Sequence, residues 1–103
     1  MELGETDAGV EHALGVGQEA VLRLPENRTT GYRWQLSAPD GIAVEDAGYE
    51  PAPSGAPGAA GTRTFRLRPT VAGTHQVAVG LRRSWESSGP AAAELRFHLR
   101  TTD

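Results

Sequence analysis

The residues of this chain that could bind a partner lie in short polar segments. The first segment, residues 27–32, reads Asn-Arg-Thr-Thr-Gly-Tyr and precedes an alternating aromatic strand pattern. The side chain of Asn27 can accept a hydrogen bond from the backbone two residues on, and Gly31 can take a positive φ. Thr29 and Thr30 would then lie at the tip, where stiff branched side chains lose little entropy on entering a cleft. The segment is therefore a candidate binding loop, although an ordinary hairpin turn would show the same pattern.

Two further segments have the composition of loops. Residues 58–61 read Gly-Ala-Ala-Gly and end a proline- and glycine-rich stretch, residues 50–61, which we predict to be a long exposed loop. This stretch cannot form a central strand, because proline lacks the backbone donor that a ladder needs. Arg83-Ser84-Trp85 follows a strand pattern, and a loop tryptophan beside an arginine is typical of an interface hot spot. The alternative for Trp85 is a side chain folded back over the end of the fold.

No group of residues in the sequence points to catalysis. The chain contains no cysteine, which excludes disulfides, thiol catalysis and cysteine metal sites. His12, His75 and His98 have no partner at metal-ligand spacing, and no nucleophile elbow, P-loop or dinucleotide motif occurs. We therefore expect no enzyme activity, no catalytic residue, no metal site and no cofactor.

Charge and hydropathy narrow the class of partner. The net charge of −3 gives no broad electrostatic reason to bind nucleic acid. No run of apolar residues is long enough to span a membrane, so we expect no membrane span.

The acidic, polar first residues do not have the pattern of a secretory signal peptide. Two locations stay open, the cytoplasm or an exported state reached with a signal that is not part of this sequence, and we expect a monomer.

Strands with one apolar face must position these segments. Apolar and polar residues alternate over residues 20–24, 32–36, 65–68, 77–81 and 95–100, with weaker candidates at 9–14 and 42–48. A period of two with one apolar face predicts half-buried antiparallel strands, and it assigns Trp34 to the core. About seven short strands predict an all-β fold, an immunoglobulin-like antiparallel β-sandwich that forms a single domain over residues 1–103. The Cys-Trp-Cys pattern of antibody domains is absent.

The three segments, in this order, resemble the motifs of the chagasin family, which are protein inhibitors of papain-like cysteine peptidases. The motifs of that family are N-P-T-T-G-[YF], G-x-G-G and R-P-W. The resemblance covers about residues 16–97. The matching residues of this chain are Asn27-Arg28-Thr29-Thr30-Gly31-Tyr32, Gly58-Ala59-Ala60-Gly61 and Arg83-Ser84-Trp85.

The resemblance implies an immunoglobulin-like fold with three loops at one end, which together fill the substrate cleft of a papain-like peptidase. It implies that Thr29, Thr30 and Gly31 lie closest to the catalytic cysteine of the enzyme. Residues 58–61 would run along the non-primed side of the cleft. Trp85 would pack on the primed side, and Arg83 would support that loop. Inhibition would be reversible and competitive, without a covalent bond.

Three positions depart from the family motifs, and all lie in the loops. Arg28 and Ser84 replace prolines. Without a proline the free loop has more conformational entropy, which corresponds to roughly 0.4 to 1 kcal/mol of free energy. Ala60 replaces a glycine, which would cost about 1 to 2 kcal/mol if that position needs a positive φ. These departures motivate a second hypothesis, a non-inhibitory binding module of the same fold. Such a module would recognise another protein or a cell-envelope component through the same loops.

Overall fold

The computed structural model describes residues 1–27, 30–52, 60–83 and 91–103, and they consist almost entirely of β-strands. A short 3-10 helix, Glu5–Asp7, follows the first strand. Within the described ranges no helix is long or apolar enough to cross a lipid bilayer. The strands are β1 (Glu2–Leu3), β2 (Glu11–Gly15), β3 (Ala20–Glu26), β4 (Tyr32–Ser37), β5 (Ile42–Glu50), β6 (Gly61–Pro69), β7 (Gly73–Arg83) and β8 (Ala93–Thr102).

The strands form two four-stranded sheets. The first sheet has the order β1-β3-β6-β5 and the second has the order β2-β8-β7-β4. Within each sheet the three long strands pair antiparallel. The N-terminal strands join at the edges in the parallel direction, β1 beside β3 and β2 beside β8. Both sheets are therefore mixed, and each has one edge supplied by the N-terminal segment of the chain.

The two sheets pack face to face over a shared hydrophobic core. Side chains of β3 and β6 alternate strictly between buried and more exposed positions, as expected for strands with one face against a core. The central strands β7 and β8 contribute Val77, Val79, Phe97 and Leu99 from the other side. The buried apolar residues are Leu3, Leu14, Ala20, Leu22, Leu24, Trp34, Ile42, Phe65, Leu67, Val77, Val79, Phe97 and Leu99.

The structure confirms the predicted β-sandwich class and adds details that alternation does not show. Every predicted strand is present, including the two weaker candidates, which correspond to β2 and β5. The additional strand β1 has only two residues, too few for a period of two to be visible. Alternation indicates which face of a strand is buried but not the direction of its neighbour. The parallel pairing of β1 with β3, and of β2 with β8, therefore could not be predicted from the sequence pattern.

Strand register brings the flanks of the three candidate loops to one end of the sandwich. In the first sheet, Glu26 at the end of β3 pairs with Gly61 at the start of β6, and Glu50 at the end of β5 pairs with Thr62. In the second sheet, Tyr32 at the start of β4 pairs with Arg83 at the end of β7. Leu81 also pairs with the first residue of β8. The connections β3–β4, β5–β6 and β7–β8 therefore leave and return at the same end, which we call the loop end.

Candidate functional site

The first candidate loop is closed by hydrogen bonds of Thr30. Its hydroxyl donates to the backbone carbonyl of Asn27 at 2.8 Å and accepts from the N–H of Tyr32 at 3.3 Å. The N–H of Thr30 also donates to the same carbonyl of Asn27 at 3.3 Å. Gly31 has φ 81°, so the predicted positive φ is confirmed. Although Thr30 is exposed, its side chain ties together the two limbs of the turn.

Other predictions for this loop lie outside the described residues. These are the positions of Arg28 and Thr29 and the hydrogen bond that the side chain of Asn27 would accept from the backbone two residues on. The structure does show that the segment between Glu26 and Tyr32 begins and ends on different sheets. The loop therefore bridges the two layers of the sandwich.

Of the second candidate loop the structure describes only Ala60 and Gly61. Gly58 and Ala59 lie outside the described residues. Ala60 is exposed and does not have a positive φ, so the strain that its replacement of glycine could have caused does not arise. Gly61 is buried and also lacks a positive φ. A Cβ atom there would collide with the carbonyl oxygen of Glu50 and with the phenol ring of Tyr49. Glycine is required at position 61 because of close packing and not because of its backbone conformation.

Arg83 links the third candidate loop to the first. Its guanidinium carbon lies 5.0 Å from the centroid of the Tyr32 ring, a distance at which a cation–π interaction is favourable. The two residues are also paired in register across β4 and β7. Ser84 and Trp85 lie outside the described residues. The fold thus brings into contact two residues, Tyr32 and Arg83, that were predicted to lie in different binding loops.

Trp34 anchors the base of the first loop in the core. Only 6% of its surface is exposed, which confirms the core position predicted from alternation. Its indole Nε1–H donates to the carbonyl oxygen of Pro25 at 2.8 Å. Because Trp34 lies on β4 and Pro25 lies on β3, this hydrogen bond connects the two sheets directly below the first loop.

A charged cluster with two buried members lies beneath the loops and was not anticipated from the sequence. Glu26 is 1% exposed, and its Oε1 accepts a hydrogen bond from the backbone N–H of Trp34 at 2.8 Å. Arg63 is 9% exposed and donates to both carboxylate oxygens, from Nη2 at 2.9 Å and from Nε at 3.3 Å. Nη1 of Arg63 donates to both carboxylate oxygens of Asp46 at 3.2 Å. The ring of Tyr49 lies 6.0 Å from the same guanidinium.

The electrostatics of this cluster favour the charged form of Arg63. Burial acts to lower the pKa of the Arg63 guanidinium, but the hydrogen bonds and charges of Glu26 and Asp46 outweigh burial and raise that pKa above its ordinary value. The guanidinium therefore stays protonated, with opposite charges on two sides. We call Glu26, Arg63 and Asp46 the ionic cluster; Glu26 and Arg63 are buried, whereas 53% of the Asp46 side chain is exposed.

Periodicity could have revealed this cluster. Glu26 is in phase with Ala20, Leu22 and Leu24 on β3, so it points to the core side of its strand. Arg63 is likewise in phase with Phe65 on β6. Two residues of opposite charge, each at a core-facing position, are the signal of a buried ion pair. Because charged residues are rarely buried unless they are paired, each of these two residues taken alone is expected to be exposed.

The described part of the chain offers binding surfaces and no reactive group. No set of three metal-ligating side chains occurs within the described ranges. Nε2 of His12 lies 2.8 Å from the carbonyl oxygen of Asp7, and Nε2 of His75 lies 3.0 Å from that of Val71. Chemically, the loop end can present the hydrogen-bonded turn around Thr30 to a concave partner.

The sequence is similar to a known family of peptidase inhibitors. The sequence matches the Chagasin family peptidase inhibitor I42 over residues 13–100. It is 32% identical to chagasin of Trypanosoma cruzi over 95 residues, which are 86% of this chain and 84% of chagasin.

Solved structures share the fold. The cysteine protease inhibitor EhICP2 from Entamoeba histolytica superimposes with a TM-score of 0.84 at 20% sequence identity, covering 98% of this chain and 93% of that one. PbICP-C, solved in complex with falcipain-2, superimposes with a TM-score of 0.68 at 13% identity, covering 99% and 90% of the two chains. The family match, which spans most of the sequence, decides the assignment. The chain belongs to the chagasin family of peptidase inhibitors, which are not enzymes.

Proposed function

We propose that this protein is a reversible, competitive inhibitor of papain-like cysteine peptidases and that its three loops enter the substrate cleft together. The convergence of the three interstrand connections at one end of the sandwich carries this proposal. A peptidase cleft is concave and elongated, so adjacent turns that project from one end complement its shape. The whole of residues 1–103 would act as one domain, with the loop end as the binding surface.

Each loop has a role in this proposal. Thr29, Thr30 and Gly31 lie nearest the catalytic cysteine of the enzyme. Residues 58–61 follow the non-primed side of the cleft. Trp85 packs on the primed side, and Arg83 supports that contact. No residue of the inhibitor reacts with the enzyme, so the complex is held by non-covalent contacts alone.

Rigidity of the loop bases supports tight binding. The hydroxyl of Thr30 bridges the two limbs of the first loop, and Tyr32 lies under the guanidinium of Arg83. Loops that are ordered before binding lose less conformational entropy when the complex forms. An interface of standard size would cover about 800 Å² on each partner, which a set of three loops can supply. The complex of PbICP-C with falcipain-2 is a precedent for a protein of this fold bound to another protein.

The experiment is competitive inhibition of papain and of a cathepsin L-type peptidase, with Trp85→Ala as the test variant. We expect a nanomolar inhibition constant that Trp85→Ala weakens at least tenfold, about 1.4 kcal/mol of binding free energy. Val71→Ala is the matched control, because Val71 is an exposed apolar residue in the turn between β6 and β7, at the opposite end of the sandwich. The control variant is expected to inhibit like the wild type.

Three further measurements test the mechanism. Competitive inhibition raises the apparent KM of the peptidase for a small substrate and leaves kcat unchanged. Reversible inhibition is lost on dilution at the rate of dissociation. Non-covalent inhibition predicts that a peptidase whose catalytic cysteine is replaced by alanine binds with similar affinity.

The second hypothesis, a non-inhibitory binding module, rests on the departures at Arg28, Ala60 and Ser84. It predicts no inhibition of either enzyme at tens of micromolar while the circular dichroism spectrum remains that of a folded β-sandwich. That result would refute the proposed function.

A further inference from the structure

The two buried members of the ionic cluster occupy positions where the strand pattern calls for apolar side chains. Glu26 continues the inward face of β3, and Arg63 continues that of β6. A buried ion pair is weak evidence for stability, because the desolvation of two charges offsets their attraction and apolar residues of similar volume are often as stable. Charged side chains form directional hydrogen bonds, which apolar side chains cannot form. The role of the cluster is therefore inferred from the groups to which it is hydrogen-bonded.

These hydrogen bonds reach every strand that flanks the first two loops. The carboxylate of Glu26, on the last residue of β3, holds the N–H of Trp34 near the start of β4. β3 and β4 are the strands on either side of the first loop, and they belong to different sheets.

The contact between Arg63 and Asp46 connects the two strands on either side of the second loop. Arg63 lies two residues after the start of β6 and binds Asp46 on β5, and these are the strands on either side of that loop. Asp46 also accepts a hydrogen bond from the N–H of Gly48 at 2.9 Å, where the register of β5 shifts as at a β-bulge. The bulge thus orients the carboxylate toward the guanidinium. Alongside the backbone pairing of β3 with β6, a guanidinium–carboxylate contact between Glu26 and Arg63 joins the supports of the two loops.

We propose that Glu26 and Arg63 are positioning residues, whose bidentate ion pair fixes the first and second loops relative to each other. The relation to inhibition rests on the proposed function, because the loop geometry matters only if both loops enter one cleft. With an apolar pair of the same volume the backbone ladder would still hold β3 to β6, but nothing at position 26 would hold β4. The ion pair fixes the orientation of the Glu26 carboxylate on Arg63, and that carboxylate in turn fixes the position of β4 through the N–H of Trp34.

The test separates positioning from stability. The double variant Glu26→Leu/Arg63→Met replaces both charges by apolar side chains and leaves the buried N–H of Trp34 without its acceptor, so we expect a urea unfolding midpoint that is lowered, but no further than that of Leu99→Ala. We nevertheless expect its inhibition constant against papain to rise at least tenfold. Leu99→Ala is the matched control, since Leu99 is fully buried near the opposite end of β8. This control lowers the unfolding midpoint and is expected to leave the inhibition constant within twofold of the wild type.

A second pair of variants at position 26 covers the case in which the double variant fails to fold. Glu26→Gln keeps an oxygen acceptor for the N–H of Trp34, whereas Glu26→Ala removes it. If positioning is the role of Glu26, Glu26→Gln inhibits several-fold better than Glu26→Ala under conditions in which both are folded. Equal inhibition by these two variants, or a double variant that inhibits within twofold of the wild type, would overturn the proposal.

Amide hydrogen exchange of the free protein tests the proposal without a peptidase. We expect the amides of Trp34 and Gly61 to exchange at least tenfold faster in the double variant, measured relative to the amide of Val77 toward the other end of the sandwich. A wild type that fails to inhibit would refute the proposed function, and the exchange ratio would still decide the positioning role. An unchanged ratio would refute the positioning role even if the wild type inhibits.

Discussion

Replacement of Gly61 by alanine tests the close packing at the base of the second loop. A Cβ atom at this position would lie 2.5 Å from Cζ of Tyr49 and closer still to the carbonyl oxygen of Glu50. The carbonyl belongs to the backbone of β5, so no rotation of a side chain can move it away. Carbon atoms pack best at about 3.5 to 4.0 Å, and β5 and β6 must therefore separate by on the order of 1 Å.

The expected cost follows from that displacement. Overpacking a well-packed site costs about 1 to 3 kcal/mol, and the upper part of this range applies because backbone must move. For a domain of this size each kcal/mol lowers Tm by roughly 4 to 8 °C. The measurement is urea unfolding followed by circular dichroism, together with a thermal scan. The matched control is Gly80→Ala, because a Cβ there would lie 3.4 Å from that of Ala91.

The control and the test variant are expected to change stability in opposite directions. Neither Gly61 nor Gly80 has a positive φ, so the two substitutions differ only in steric surroundings. Gly80→Ala reduces the entropy of the unfolded chain and is expected to stabilise by about 0.4 to 1 kcal/mol. If Gly61→Ala loses less than about 0.5 kcal/mol, or if both variants lose the same amount, the steric argument is refuted.

The remaining predictions concern the loop tip, the core and pH. Thr30→Asp brings a charge to the first loop at an exposed position, so inhibition is expected to be abolished while the free energy of unfolding changes by at most about 1 kcal/mol. Within the described ranges the buried hydroxyl of Thr101 has no hydrogen-bond partner, so Thr101→Val is expected to raise the unfolding free energy by about 1 kcal/mol. The raised pKa of Arg63 means that its stabilising contribution is present below its unfolded-state pKa and is lost only as pH rises through the higher folded-state value. The stability difference between wild type and Arg63→Met is therefore expected to stay constant between about pH 7 and pH 9.

Each of these predictions has an outcome that contradicts it. Intact inhibition by Thr30→Asp would remove the first loop from the binding surface. A destabilised Thr101→Val would mean that its hydroxyl is bound, for example by an ordered water. A stability difference for Arg63→Met that declines across the stated pH range would show that the guanidinium titrates there and is not held charged by its two carboxylates.

Alternation predicted the parts of the fold that depend on one buried face per strand. It identified β3, β4, β6, β7 and β8 and it assigned Trp34 to the core, since an apolar face of period two is typical of a strand packed against a core. The positive φ of Gly31 was predicted because a polar turn before a strand needs a residue without a Cβ atom. These inferences needed only neighbours in sequence.

Features that depend on contacts distant in sequence were not predictable in the same way. The buried contact between Glu26 and Arg63 joins residues 37 apart, and each charge taken alone is typical of an exposed position. The requirement for Gly61 comes from the path of β5 over it, which no local pattern encodes. The expected strain at Ala60 depended on an assumed φ that the structure does not have. The identity of the loops came from the family resemblance, and strand register then showed that their flanks share one end.

The register shift in β5 has a consequence for self-association. β5 is an edge strand of the first sheet, and an edge strand of this length presents unpaired backbone groups to other chains. The shift between Asp46 and Gly48, with φ 98° at the glycine, interrupts that edge, and Glu45 and Glu50 add negative charge to it. A kinked, acidic edge is a poor template for strand addition by a second copy. The same bulge that orients Asp46 beneath the loops therefore protects the sheet against edge-to-edge aggregation.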